Sequence, residues 1–218
     1  MPAFAIIAEG VTDQIVLEKI IRLIYKSADS TAEISVTHLQ PTRDATDDAR
    51  QADGDFGGWQ QVLEHCSSPT NLYEALALND YIVIHIDSDI CRNEQVAVDP
   101  NLPFDDLIVS IEDILFGVID PAILADHRSK LILAVAVHST ECWLLPFFTN
   151  NAVERKKVNS CEEVLRTIAK REGINYAKDG PCYLDLVRDI RKVKQLFSAA
   201  ACSPSLARFI SSLPAVVH

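Results

Sequence analysis

Glu9 stands where an apolar run stops. The stretch Phe4–Leu17 reads FAIIAEGVTDQIVL, so an acid and a glycine separate a β-favouring segment from a helical one. Asp87 and Asp89 occupy a similar place, leaving the apolar run Tyr81–Ile86 as HIDSD. If both runs are strands of one open α/β sheet, these acids lie at carboxyl ends of strands, where ligands of such sheets gather. The i, i+2 spacing points Asp87 and Asp89 the same way while the chain stays extended. Two carboxylates about 4 Å apart repel by roughly 4 kcal/mol at an effective dielectric near 20. A cluster of such groups therefore needs protons, a hydrogen-bond network or a metal, and hard oxygen ligands favour Mg2+ or Mn2+. Gly10 is expected to turn the backbone sharply. Thr12 is expected to cap the following helix, with Asp13 in its first turn, where the helix dipole favours an acid. A helix-start acid and a member of the site are both open readings for Asp13.

The elements that must position these residues follow from periodicity. Phe4–Ala8 reads as a strand and Thr12–Ser27 as a helix with an apolar stripe through Val16, Ile20, Leu23 and Ile24. Glu33–Leu39 alternates like a second strand, and the polar loop from Pro41 to Gly58 follows. Gly57–Cys66 and Asn71–Leu78 read as a broken helix, interrupted at Pro69 and restarted by a capping box of Asn71 and Glu74. Tyr81–Ile86 and Leu131–Val137 are apolar on both parities, as strands covered on two faces are, and Phe104–Phe116 lies between them as a helix. The alternation of strands and helices predicts a doubly wound α/β sheet. Beyond Pro146 the pattern becomes helical only. Ser160 and Glu163 form an expected capping box for a helix to about Arg171, Pro181 opens another to about Phe197, and Ser203-Pro204 a short last one. The expected domains are 1–148 for the sheet and 149–218 for a helical annex packed on it.

Other groups share the expected edge. His85 is read first as a buried imidazole bonded to a backbone carbonyl, with metal ligation the alternative. His138 and Glu141 follow the fourth strand; Glu141 is either a helix-start acid or a group that orients a ligand or water. Trp143 is read as core. Arg43, Arg50 and Gly57-Gly58 could meet a phosphate from the loop after the second strand. Arg155-Lys156-Lys157, Lys170-Arg171 and Arg188 to Lys194 could follow a nucleic-acid backbone, or be wet faces of helices.

Composition sets the outer limits. The 218 residues are 48% hydrophobic and 23% charged, enough for one sizeable core. The net charge of −11 is uneven: residues 1–150 hold 8 Lys+Arg against 24 Asp+Glu, whereas 151–218 hold 12 against 7. The acidic part repels polyanions unless cations intervene; the basic part attracts them. The six cysteines lie apart with no C-x-x-C pair, which predicts reduced thiols and neither a disulfide framework nor a zinc site. No stretch reaches the roughly 18 apolar residues of a membrane span. A soluble cytoplasmic protein is the expectation.

Glu9-Gly10-Val11-Thr12-Asp13, followed by Asp87-Ser88-Asp89 at the end of an apolar strand, resembles the Toprim domain of topoisomerases, primases and OLD-family nucleases. HSTECWLLPFF and CSPSLARFISSLP are similar to segments of small stand-alone bacterial Toprim-like proteins, several of them associated with defence against phage. The resemblance spans roughly residues 1–145 and implies four parallel strands in the order 2-1-3-4. It implies that Glu9 handles protons or helps bind metal, that Asp87 and Asp89 form the Mg2+ site, and that Asp13 is an additional ligand, with Glu141 matching an acid of the small group. No tyrosine-bearing topoisomerase domain, zinc-binding primase domain or ATPase accompanies these motifs. Metal-dependent hydrolysis of DNA or RNA phosphodiesters is the activity that remains, with a larger protein such as an ATPase as a possible partner. Two rivals stand beside it: a non-catalytic binding or toxin module acting with a larger partner, and a phosphotransferase using Asp87 as its nucleophile.

Overall fold

Runs without a polar parity become the inner strands of a sheet that is covered on both sides. A computed structural model describes residues 2–41 and 58–215. Its strands are β1 (Ala3–Ile7), β2 (Ser35–Gln40), β3 (Tyr81–Asp87) and β4 (Leu131–Ala136). All pairings are parallel and the order is β2-β1-β3-β4, the α/β sheet expected from the sequence. The helices are α1 (Val11–Ala28), α2 (Trp59–Ser67), α3 (Pro69–Leu78), α4 (Phe104–Val118), α5 (Pro121–His127), α6 (Thr140–Phe148), α7 (Cys161–Arg171), α8 (Gly180–Arg188), α9 (Val193–Ala200) and α10 (Pro204–Ser212).

Alternate side chains of each strand enter different cores. Ala5, Ile7, Ile82, Ile84, Ile86, Leu133 and Val135 pack with residues of α2 to α5. Phe4, Ile6, Val83, Ile132 and Ala134 pack with α1, α6 and residues of α7 to α10, including Leu165, Tyr183, Leu196 and Phe209. The carboxy-terminal helices thus form one layer with α1 rather than a patch on its outside. Tyr25 in α1 donates its hydroxyl to the carbonyl of Pro214, 2.7 Å away, which closes that layer.

Local chemistry differs from expectation at several ends. Ser68, not Asn71, starts α3: its hydroxyl accepts from the Asn71 N–H at 3.3 Å, and Pro69 takes the first turn, where no N–H is needed. Ser160 precedes α7 in a left-handed conformation (φ 48°), and its side chain caps nothing, so the expected box with Glu163 does not form. The single helix expected from Pro181 is split at Asp189–Lys192, because the Gln195 side chain accepts from the N–H groups of Arg191 (3.1 Å) and Lys192 (2.9 Å) and starts α9 afresh. Helix α5, opened by Asp120 and Pro121, has too short an apolar pattern to be read in advance.

Cys142 and Cys161 are joined by a disulfide, against the expectation of reduced thiols. Packing of α6 on α7 brings their Cα atoms to 5.0 Å, a proximity that 19 residues of separation do not reveal. Among the described residues no helix is long and apolar enough to cross a membrane.

Candidate metal centre

Glu9 lies two residues past β1, at the edge where β1 and β3 run side by side. Its side chain crosses to β3, where Oε1 accepts from the N–H of Asp87 at 2.7 Å. Its carbonyl accepts from Gly58 N–H at 3.2 Å. Gly58 holds φ +99°, a conformation that favours glycine, and a Cβ there would sit 3.7 Å from Glu9 Oε2. The Gly58 N–H expected to meet a phosphate is therefore occupied by Glu9; Arg43, Arg50 and Gly57 lie outside the described residues.

The first turn of α1 supplies Asp13. Gly10, not Thr12, is the cap residue, and its extended backbone (φ −142°) needs no glycine. Space explains it better than turning: a Cβ on Gly10 would lie 3.2 Å from Asp13 Oδ2. Thr12 and Asp13 are both buried.

Asp87 is the last residue of β3 and is buried. Its Oδ1 accepts from the Thr140 N–H (3.1 Å) and hydroxyl (3.3 Å), so the start of α6 anchors the end of β3. His85, on the same face of the strand, places Nε2 2.9 Å from Thr140 Oγ1 and 3.5 Å from Asp87 Oδ1. The expected backbone carbonyl is not its partner. Among the described residues His85 Nδ1 is buried without a hydrogen-bond partner, a condition that costs about 1–3 kcal/mol when nothing relieves it.

Asp89 departs from its expected direction. The strand ends at Asp87 and a 3-10 turn, Ser88–Arg92, follows, so the i, i+2 alignment is lost and Asp89 is exposed at the rim. It is still close enough to act on Glu9 and Asp87 electrostatically. His138 faces it, held in a left-handed conformation (φ 69°) by its N–H bond to Ser88 Oγ (2.6 Å), while Arg92 contacts His138 Nε2 at 2.6 Å.

Glu141 enters from α6 and is buried. Tyr183 of α8 donates to its Oε1 at 2.5 Å, Tyr176 adjoins Tyr183 at 2.9 Å, and Lys178 Nζ stands 3.3 Å from the same oxygen. Lys178 and Tyr183 carried no signal in the sequence: one sits in an unpatterned stretch, the other on an apolar helical stripe. Thr140 carries no distinguishing signal in the sequence either.

Crowding shows in the protonation of these acids. Burial, with Asp13 and Asp89 adding to it, pushes the Glu9 carboxyl up to about 8 against the Asp87 N–H bond. Burial, then Asp13, Glu9 and Glu141, raises Asp87 well above the usual carboxylate range. Glu141 goes the other way: burial alone would raise it, but Lys178 and the Tyr183 hydroxyl outweigh that and hold it low. One ligand atom each from Asp13, His85 and Asp87 lie within 4.8 Å of one another, a spacing that can hold a metal ion.

The basic annex residues have other tasks in part. Arg155 donates to the carbonyls of Pro146 (2.5 Å), Thr149 (3.3 Å) and Ser198 (3.2 Å), and Arg188 and Arg191 pair with Asp185 and Asp189. Trp143 is core as expected, stacked on Phe209 with ring centroids 5.6 Å apart and donating to Ser205 Oγ at 2.8 Å. No protein-family model matches the chain, and neither a curated protein nor a solved structure shows significant similarity to it.

Proposed function

We propose that the chain is a metal-dependent hydrolase of nucleic-acid phosphodiester bonds. The observation that carries this reading is the bond from Asp87 N–H to Glu9 Oε1 at 2.7 Å, which fixes acids 78 positions apart on one sheet edge beside Asp13 and Glu141. Four acids crowded at a buried edge are poorly stabilised alone and well stabilised around a divalent cation. Glu9, Asp13 and Asp87 would hold Mg2+ or Mn2+, with Asp89 at the rim and Glu141 behind. Such an ion lowers the pKa of a bound water and neutralises charge on the scissile phosphate.

The chain's own groups have separable roles. Thr140 fixes the Asp87 carboxyl by two contacts to Oδ1. Glu9, raised to about 8 in the absence of metal, would give up its proton on binding an ion near neutral pH. Lys178, half exposed beside Glu141, offers an ammonium to a phosphate oxygen. The strand order 2-1-3-4 is the one the Toprim resemblance implies, and a part in antiviral defence rests on that resemblance alone.

A covalent role for Asp87 is the poorer reading, because the carboxyl is buried, held inward by Thr140 and driven toward its protonated form. A binding or toxin module that works through a larger partner such as an ATPase is favoured by one observation, the net −16 of residues 1–150, which repels a bare polyanion. The discriminating assay incubates the purified protein with plasmid, linear DNA and tRNA, with and without Mg2+ or Mn2+. Glu9→Gln and Asp87→Asn should each lower cutting more than about 100-fold, beyond the 10–100-fold commanded by outer partners of a ligand, with unchanged circular dichroism. Undiminished metal-dependent cutting in either variant removes the assignment.

A further inference from the structure

We propose that His85 is itself a metal ligand, holding with Asp13 and Asp87 a first-row transition ion such as Co2+ or Mn2+ in preference to Mg2+ at the buried end of the site. This rests on the metal-centre reading above and goes beyond it in ligand set and ion preference.

Three observations converge. One ligand atom each of Asp13, His85 and Asp87 fall within 4.8 Å of one another, and all three residues are buried. His85 is 0% exposed, yet Nδ1 has no hydrogen-bond partner among the described residues. Nε2 stands 2.9 Å from Thr140 Oγ1 and 3.5 Å from Asp87 Oδ1; in the tautomer that donates Nε2–H to the hydroxyl, the lone pair falls on Nδ1. A neutral imidazole whose one N–H is fixed by a neighbour is the form in which histidine binds metals, and the neighbour sets tautomer and ring orientation.

The chemistry of the ligands sets the ion. Mg2+ is hard and strongly hydrated and prefers carboxylates and water, whereas a first-row transition ion accepts an imidazole nitrogen beside carboxylates more readily, Co2+ more so than Mn2+. A nitrogen among carboxylates thus biases this position toward Mn2+ or Co2+, while Glu9 and the solvent side of Asp87 remain hard oxygen donors.

Electron spin-echo measurements on Mn2+-loaded full-length protein test this, using natural-abundance and 15N-histidine-labelled samples. The expected result is a histidine nitrogen coupling in the wild type that changes with the label and disappears in His85→Gln and in Asp13→Asn. Calorimetry should show Mn2+ binding weakened at least about 10-fold in His85→Gln, with Mg2+ affinity altered less than about 2-fold. If His85→Gln does not fold, the wild-type coupling and its loss in Asp13→Asn decide the matter. Bound Mn2+ without a nitrogen coupling, or a coupling that survives in His85→Gln, overturns the proposal. In that case Mg2+-dependent cutting can persist and the hydrolase reading stands. Absence of both Mn2+ binding and metal-dependent cutting removes the two together.

Discussion

At the scale of residues, the site holds two acids, Glu9 and Asp87, whose ionisation opposes folding. Glu9 has an ordinary pKa near 4.5 and is raised to about 8 in the fold. An acid raised in this way contributes stability that is present below about 4.5 and lost as pH rises through 8, because the folded state disfavours the charged form. Asp87 is shifted in the same direction. Metal-free protein should therefore lose thermal stability from pH 5 to pH 8. Added Mg2+ or Mn2+ should raise the midpoint more at pH 8 than at pH 5, since binding requires deprotonated carboxylates. Glu9→Gln should flatten both trends. Melting curves in a chelator and in metal check this; a metal effect independent of pH would show that the acids do not surround the ion. Much of this set was legible in the sequence, because Glu9 and Asp87 each interrupt an apolar run. What was not legible is direction. Asp89 turns to the rim because the chain leaves the strand one residue earlier than the D-x-D spacing supposes, and no pattern marks a 3-10 turn after Asp87.

At the scale of elements, α6 joins the site to the rest of the fold through consecutive residues. Thr140 holds Asp87 and His85, Glu141 faces Lys178 and Tyr183, Cys142 is bonded to Cys161, and Trp143 stacks on Phe209. A helix whose neighbours differ at every position has no single apolar stripe, which is why HSTECWLLPFF could be read as core but not as a junction. The Tyr183 hydroxyl is the most exacting of its contacts, since it satisfies a carboxylate that is 1% exposed. Tyr183→Phe should cost about 1–3 kcal/mol, the usual penalty for a buried polar group deprived of its partner. The loss should show as a lower urea midpoint with an unchanged slope. Glu141 is held low, so its stabilisation is present above its unfolded pKa and lost as pH falls through the folded one. The variant should consequently lose less stability on acidification than the parent. Equal midpoints would mean that Lys178 alone satisfies Glu141.

At the scale of the whole molecule, the expected boundary near residue 148 coincides with a change of pattern, but the packing runs across it. Leu165, Tyr183, Leu186, Leu196, Leu206 and Phe209 share one core with Phe4, Ile6, Val83 and Ala134 of the strands. Charge follows the same path: Lys178 reaches Glu141, and Arg208 of α10 grips both carboxylate oxygens of Glu112 in α4 at 3.1 and 2.8 Å. The sequence could show that 151–218 is basic and the remainder acidic; it could not show that the two meet at individual pairs, because that depends on which helix lies against which strand. A core common to both parts implies one cooperative transition rather than two. The two tryptophans allow a direct test, since Trp59 packs against the core on one face of the sheet and Trp143 within the core on the other. In Trp59→Phe the remaining fluorescence reports the annex side, while circular dichroism reports all helices. The two urea curves should coincide in midpoint and slope. A fluorescence transition that precedes the loss of helix would mean that the carboxy-terminal layer comes away first, and that Lys178 and Tyr183 leave the acids while the sheet still stands.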